Sequence, residues 1–183
     1  VIGAGAEGKL DQRANADRTQ GVWRKILRGV NHAMDAVIEP LNVAAQYVDR
    51  IAKGDTPPKI TEEYKGDFNE IKDNLNTCID TISILVDEVG VVIGAGAEGK
   101  LEQRANADRT QGVWRKILRG VNHAMDAVID PLNMAAQYVD RIARGDIPPK
   151  ITEEYKGDFN KIKNNLNSCI DAISGLLKEA ENL

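Results

Sequence analysis

The sequence predicts an all-α chain of long helices that need partner helices, and three observations carry that prediction. Residues 1–91 are followed by a near-identical copy from Val92, with a constant offset that pairs Val1 with Val92, Trp23 with Trp114, Pro40 with Pro131 and Cys78 with Cys169. A fixed period marks stacked units, each too small to bury its own apolar face. Within a copy the apolar residues step at coiled-coil spacing. Finally, aromatic residues are only 4% of the chain and charged residues 28%, a balance that suits long helices better than an aromatic-centred core.

The first helix is read from Ile26, Val30, Ala33, Val37, Leu41, Ala44, Val48 and Ile51, which step by 4, 3, 4, 4, 3, 4, 3. That is an a/d seam with a stutter at Val37 (Val128 in the second copy), where two four-residue steps meet and the supercoil locally unwinds. The seam breaks at Gly54-Asp55-Thr56-Pro57-Pro58-Lys59-Ile60, where Gly ends a helix and two prolines remove the hydrogen bonds needed to continue it. A second seam follows through Phe68, Ile71, Leu75, Cys78, Ile82, Leu85, Val89 and Val92, with Asp67 placed to cap its start. The polar stretch Gly99 to Thr110 has no apolar period, and the next seam opens after Gly112-Val113-Trp114 through Ile117 and Val121. Each copy therefore holds two connectors and two helices of about 32 residues, roughly 50 Å long at about 1.5 Å per residue. An apolar stripe that narrow does not fold alone. A parallel homodimer is the expected state, with no stable folded monomer.

Composition removes several functions. The chain has 24 Lys+Arg against 28 Asp+Glu, a net charge of −4, so it has no basic excess with which to displace counterions from nucleic-acid phosphates. No apolar run reaches the roughly 20 residues that span a bilayer, and the N-terminus has no basic-then-apolar signal layout. The expectation is a cytoplasmic segment without membrane contact of its own, belonging to a longer and in some settings membrane-bound protein.

Pro40-Leu41, Ile51-Ala52-Lys53-Gly54-Asp55, Gly66-Asp67-Phe68-Asn69-Glu70-Ile71 and Leu75-Asn76 together resemble a HAMP signalling module. That pattern has a first helix with an internal Pro, a Gly-led connector, an acidic start to the second helix and a later Asn. The family's connector pattern, Gly-x-apolar-x-x-x-apolar, is met by Gly145, Ile147 and Ile151, and by Gly54 and Ile60 with Thr56 as a weaker first anchor. The divergent connectors also comply, with Gly8, Leu10 and Ala14, and with Gly99, Leu101 and Ala105. In the second copy Pro131, Asp158, Phe159 and Asn167 repeat Pro40, Asp67, Phe68 and Asn76.

Two alternating flavours resemble the poly-HAMP arrays of bacterial methyl-accepting chemotaxis proteins. The resemblance implies stacked modules at 1–37 (truncated), 38–83, 84–128 (divergent) and 129–183, each a parallel four-helix coiled coil in the homodimer. It implies a signal relay between an upstream sensor and a downstream chemoreceptor or kinase output, not an enzyme, with no cofactor or metal. The rival reading is a passive spacer or dimerisation rod. Two departures stand out: Val22 and Val113 occupy the place of Asp67 and Asp158, and Gly90, Gly94 and Gly96 weaken the helix opening the third module, by about 1 kcal/mol each relative to Ala.

Gly3-Ala4-Gly5-Ala6-Glu7-Gly8 and its repeat Gly94 to Gly99 spell G-x-G-x-x-G, a dinucleotide-binding pattern. No crossover helix or βαβ unit follows, so nucleotide binding ranks third among the functions considered. Cys78 and Cys169 fall on the seam and are expected as buried packing thiols. His32, His123, the basic-aromatic run Trp23 to Arg28 and the pair Glu62-Glu63 form no catalytic set.

Overall fold

The computed structural model describes Gly3 and residues 6–182, Glu181 by its backbone alone. Four helices carry the fold: α1 (Gly21–Ala52), α2 (Asp67–Ala97), α3 (Gly112–Ala143) and α4 (Gly157–Glu181). Short 3₁₀ turns, Ala16–Arg18 and Ala107–Arg109, precede α1 and α3, and there is no strand among the described residues. The all-α class read from the heptads is the observed one. The chain divides into two compact units, Val1–Val86 and Asp87–Leu183.

The helix ends follow local chemistry. At the end of α1 the Gly54 N–H donates to the Ile51 carbonyl (2.9 Å) and the Asp55 N–H to the Arg50 carbonyl (3.0 Å), while Gly54 holds φ 81°. This is a Schellman cap, whose left-handed residue is strained for anything with a Cβ. Gly99 ends α2 the same way at φ 73°, with Gly99 N–H to Gly96 O and Lys100 N–H to Ala95 O at 3.1 and 2.8 Å. At the opposite ends, α2 and α4 carry Asp67 and Asp158 in their first turns, which favours the helix dipole. In α1 and α3 the first turn has no acid and Gln20 and Gln111 make no side-chain cap. There Arg24 Nε and Arg115 Nε instead donate to the Thr19 and Thr110 carbonyls, both at 2.8 Å.

Helices α1 and α3 run through Pro40 and Pro131 without a break, and α2 runs through Gly90, Gly94 and Gly96. The second G-x-G-x-x-G string is thus the last turns of a helix ending at its Gly99 cap. It offers no strand-to-helix loop for a pyrophosphate. Ala4 and Gly5 of the first string, with Val1 and Ile2, lie outside the described residues.

Within each unit the buried side chains are not the full a/d seam. In the first unit Ile38, Ile60 and Ile79 are buried, and Pro57 is fully enclosed. In the second, Val92, Leu118, Ile129, Ile151, Ile170 and Pro148 take those roles. Each such side chain contributes roughly 1.5–3 kcal/mol on burial. The seam residues Val37, Leu41 and Val48 of α1, and Val128, Leu132 and Val139 of α3, remain exposed. Cys78 and Cys169, expected inside, are also exposed, because the next residues, Ile79 and Ile170, take the inward position.

Candidate functional site

The connectors are where the sequence motifs meet, and the site is built the same way four times. In the first unit the second connector anchor, Ile60, is buried, and its backbone is gripped from α2 by Asn76. The Ile60 N–H donates to Asn76 Oδ1 (2.8 Å), and Asn76 Nδ2 donates to the Ile60 carbonyl (3.0 Å). One side-chain amide thereby satisfies both polar groups of a buried loop residue, which would otherwise cost about 1–3 kcal/mol each. Ile151 and Asn167 repeat this fork at 2.8 and 3.0 Å.

The divergent connectors use the same fork from residues that the motif reading overlooked. The Ala105 N–H donates to Asn122 Oδ1 (2.9 Å), and Asn122 Nδ2 donates to the Ala105 carbonyl (2.8 Å). Ala14 and Asn31 match at 2.9 and 2.8 Å. Beside each fork lies an ion pair with one spacing rule. The basic residue before the anchor reaches the Asp one turn beyond the Asn: Lys59 to Asp80, Lys150 to Asp171, Arg104 to Asp126 (each 2.7 Å) and Arg13 to Asp35 (2.6 Å). The signal was present in the sequence as Lys/Arg-anchor followed by Asn-x-x-x-Asp on the next helix.

Around the fork the two flavours diverge. In connectors 53–66 and 144–156 the Pro after the first anchor position, Pro57 or Pro148, is completely buried, whereas Thr56 is exposed and Ile147 half-buried. A narrow crevice between α1 and α2 is lined by Pro40, Val43, Ala44, Tyr64, Phe68 and Leu75, which brings Pro40 and Phe68 together with the connector. Burial pushes the Tyr64 hydroxyl up, aided by the negative charge of Glu62 and Glu39. The connector mouths are tied by Arg50 Nε to Asp55 and Arg141 Nε to Asp146, both 2.6 Å. That hydrogen bond holds the Asp146 carboxyl below the usual range and Arg141 above its own.

In connector 99–111, Leu101 is half-buried, Ala105 and Ala107 are buried, and the tie is ionic. Glu88, on α2 and buried, accepts from the Asn106 N–H with Oε2 and from Arg109 Nη1 with Oε1, both at 2.6 Å. The backbone N–H first, then the guanidinium, holds this carboxyl below the ordinary glutamate range despite its burial. Gly8 and Leu10 of the first connector are exposed, as are His32, His123, Glu62 and Glu63. Asp67 and Asp158 are exposed at their helix starts and take no part in the forks. No cluster of ligands suited to a metal occurs among the described residues, and no described helix is long and apolar enough to cross a membrane.

Residues 18–84 and 109–175 match the HAMP domain family. Over 90 residues, 49% of this chain, the sequence is 23% identical to the methyl-accepting chemotaxis protein McpB of Pseudomonas aeruginosa, of which the aligned part covers 13%. No solved structure matches the chain significantly.

Proposed function

Because this chain belongs to the HAMP domain family, we propose that it relays a conformational signal along a parallel homodimer, as one cytoplasmic segment of a chemotaxis-type receptor. The observation that carries this reading is the exposed seam. Helices already docked to their own connectors still present Val37, Leu41 and Val48, or Val128, Leu132 and Val139, to solvent. Apolar rows at this spacing fit the facing row of a second copy. Four Asn forks support four modules, at 1–37, 38–83, 84–128 and 129–183, of which the matched spans contain the two Asp-started connectors whole. The name of the Pseudomonas relative favours a chemoreceptor output over a kinase, with a sensor upstream.

In this reading Pro40, Pro131 and the connectors (Gly8, Leu10, Gly54, Ile60, Gly99, Leu101, Gly145, Ile147, Ile151) set how the helices pack. The helix starts at Asp67, Phe68, Asp158 and Phe159, with Asn76 and Asn167, hold the second helices in register. A relay needs two packings within a few kcal/mol of each other.

Two experiments test this. Sedimentation at micromolar protein should give a dimer, and a compact, cooperatively melting monomer would sink the dimer. In a chain with Cys78 and Cys169 changed to Ser, Leu41→Cys should oxidise to a symmetric cross-linked dimer; an uncross-linked dimer would count against parallel register. For the relay itself, Ala44 or Ala135 replaced by Leu in the full receptor should alter output, and unchanged output with unchanged melting speaks for a passive rod.

A further inference from the structure

The buried carboxylate of Glu88 is used by no part of the relay described above, yet it is the most constrained charge in the second unit. Its two oxygens bracket the 3₁₀ turn Ala107–Arg109. Oε2 takes the N–H of Asn106, the residue that caps the turn, and Oε1 takes Arg109 at its far end, both at 2.6 Å. Asn106 in turn caps the turn by accepting the Asp108 N–H with its side chain (3.1 Å). The neighbouring charges are arranged so that Arg109 alone answers Glu88: Asp108 on the outer side of the turn draws Arg119 (3.6 Å) and Arg115 (3.9 Å) of α3. With the 91-residue offset, Glu179 of α4 repeats Glu88.

We propose that Glu88 is a detachable latch, which holds the turn Ala107–Arg109 against α2 and frees it when the carboxylate is neutralised or swings away with its helix. A carboxylate on a helix makes docking depend on that helix's orientation, because both bonds share one side chain and are lost together. The Asn122 fork is borne by α3 and acts on Ala105, so it stays closed when the latch opens. Connectors 53–66 and 144–156 rest on enclosed prolines and Ile anchors with exposed Arg–Asp pairs at their mouths, and among the described residues no buried carboxylate accepts their backbone N–H groups. Glu88 is a positioning residue here. The proposal concerns docking alone and stands whether or not the chain relays a signal.

Amide hydrogen exchange by NMR on the whole chain tests it, with the Ala105 amide, held by the Asn122 fork, as the reference within the same molecule. Glu88→Ala should speed Asn106 exchange about tenfold or more, as expected for losing a charge-assisted bond. Glu88→Gln, which keeps an acceptor and loses the charge, should fall between. The Ala105 amide should be unaffected in both, which shows that the fork and fold persist. An unmoved Asn106 in Glu88→Ala, or an Ala105 amide that speeds up as much as Asn106, overturns the latch. Should Glu88→Ala unfold the chain, Arg109→Gln serves: the Glu88 carboxyl should then titrate closer to the ordinary range, and an unchanged titration overturns the proposal.

Discussion

Connectors 99–111 and 144–156 lie in one compact unit and hang from the same device, an Asn fork with a basic-to-Asp pair beside it, yet they are fastened by different physics. The second relies on bulk: Ile151 is buried and Pro148 enclosed. The first puts Ala105 where the second has Ile151, and makes up the lost apolar contact with the Glu88 carboxylate. Apolar burial has no group to titrate, whereas a charge pair responds to pH and is screened by salt. Two connectors hung from the same fork therefore differ in what can loosen them.

The largest way to break the comparison is at the apolar anchor. Ile151→Ala should cost about 2–5 kcal/mol in denaturant unfolding, as for other buried aliphatic truncations, and a loss below about 1 kcal/mol would show that the Pro-rich connector is held elsewhere. Next come the forks. Asn167→Ala and Asn122→Ala each strand a backbone N–H and carbonyl, and each should cost about 2–3 kcal/mol. Similar losses would confirm a shared device, and a much smaller one at Asn122 would move the weight onto Glu88.

Acid sharpens the contrast further. The carboxyl of Glu88 is lowered in the folded chain, so its contribution is complete above the ordinary glutamate range and is lost as pH falls through its lowered native value. On acidification the chemical shift of the Asn106 amide should move in that window, while the Ile151 amide stays put; parallel movement of both would erase the distinction. The smallest effect is expected at the surface pairs. Lys150–Asp171 is about half exposed on both sides, and Asp171→Asn should shift stability by less than about 1 kcal/mol, less again at high salt.

The heptads made the helices legible because apolar spacing reports burial directly, and Gly and Pro marked the connectors for steric reasons that hold in any context. Asn76 and Asn167 were legible through the family resemblance. Asn31 and Asn122 were not, since an Asn beside a seam reads as solvated until the loop residue it grips, 17 positions earlier, is placed against it. Glu88 left no trace in any period: the acidic pair Asp87-Glu88 within an apolar run reads as a helix flank, and the partners of Glu88 lie 18 and 21 residues further on. Cys78 and Cys169 are exposed in the single chain as the seam residues of α1 and α3 are, and Ile79 and Ile170 beside them pack within it.

Beyond Glu88, α2 carries Gly90, Gly94 and Gly96 before it ends, and a Cβ at any of them would meet nothing within 4 Å in the chain itself. Each glycine costs a helix about 1 kcal/mol relative to Ala, so the stretch rests on the buried Val92 and on its Gly99 cap more than on its own helix propensity. The connector that follows is thus moored from behind its own weakest link. Glu88 lies upstream of all three glycines, so loss of the helical turns after it would leave its bonds to Asn106 and Arg109 as the mooring of the turn Ala107–Arg109, and linker and connector need not loosen together.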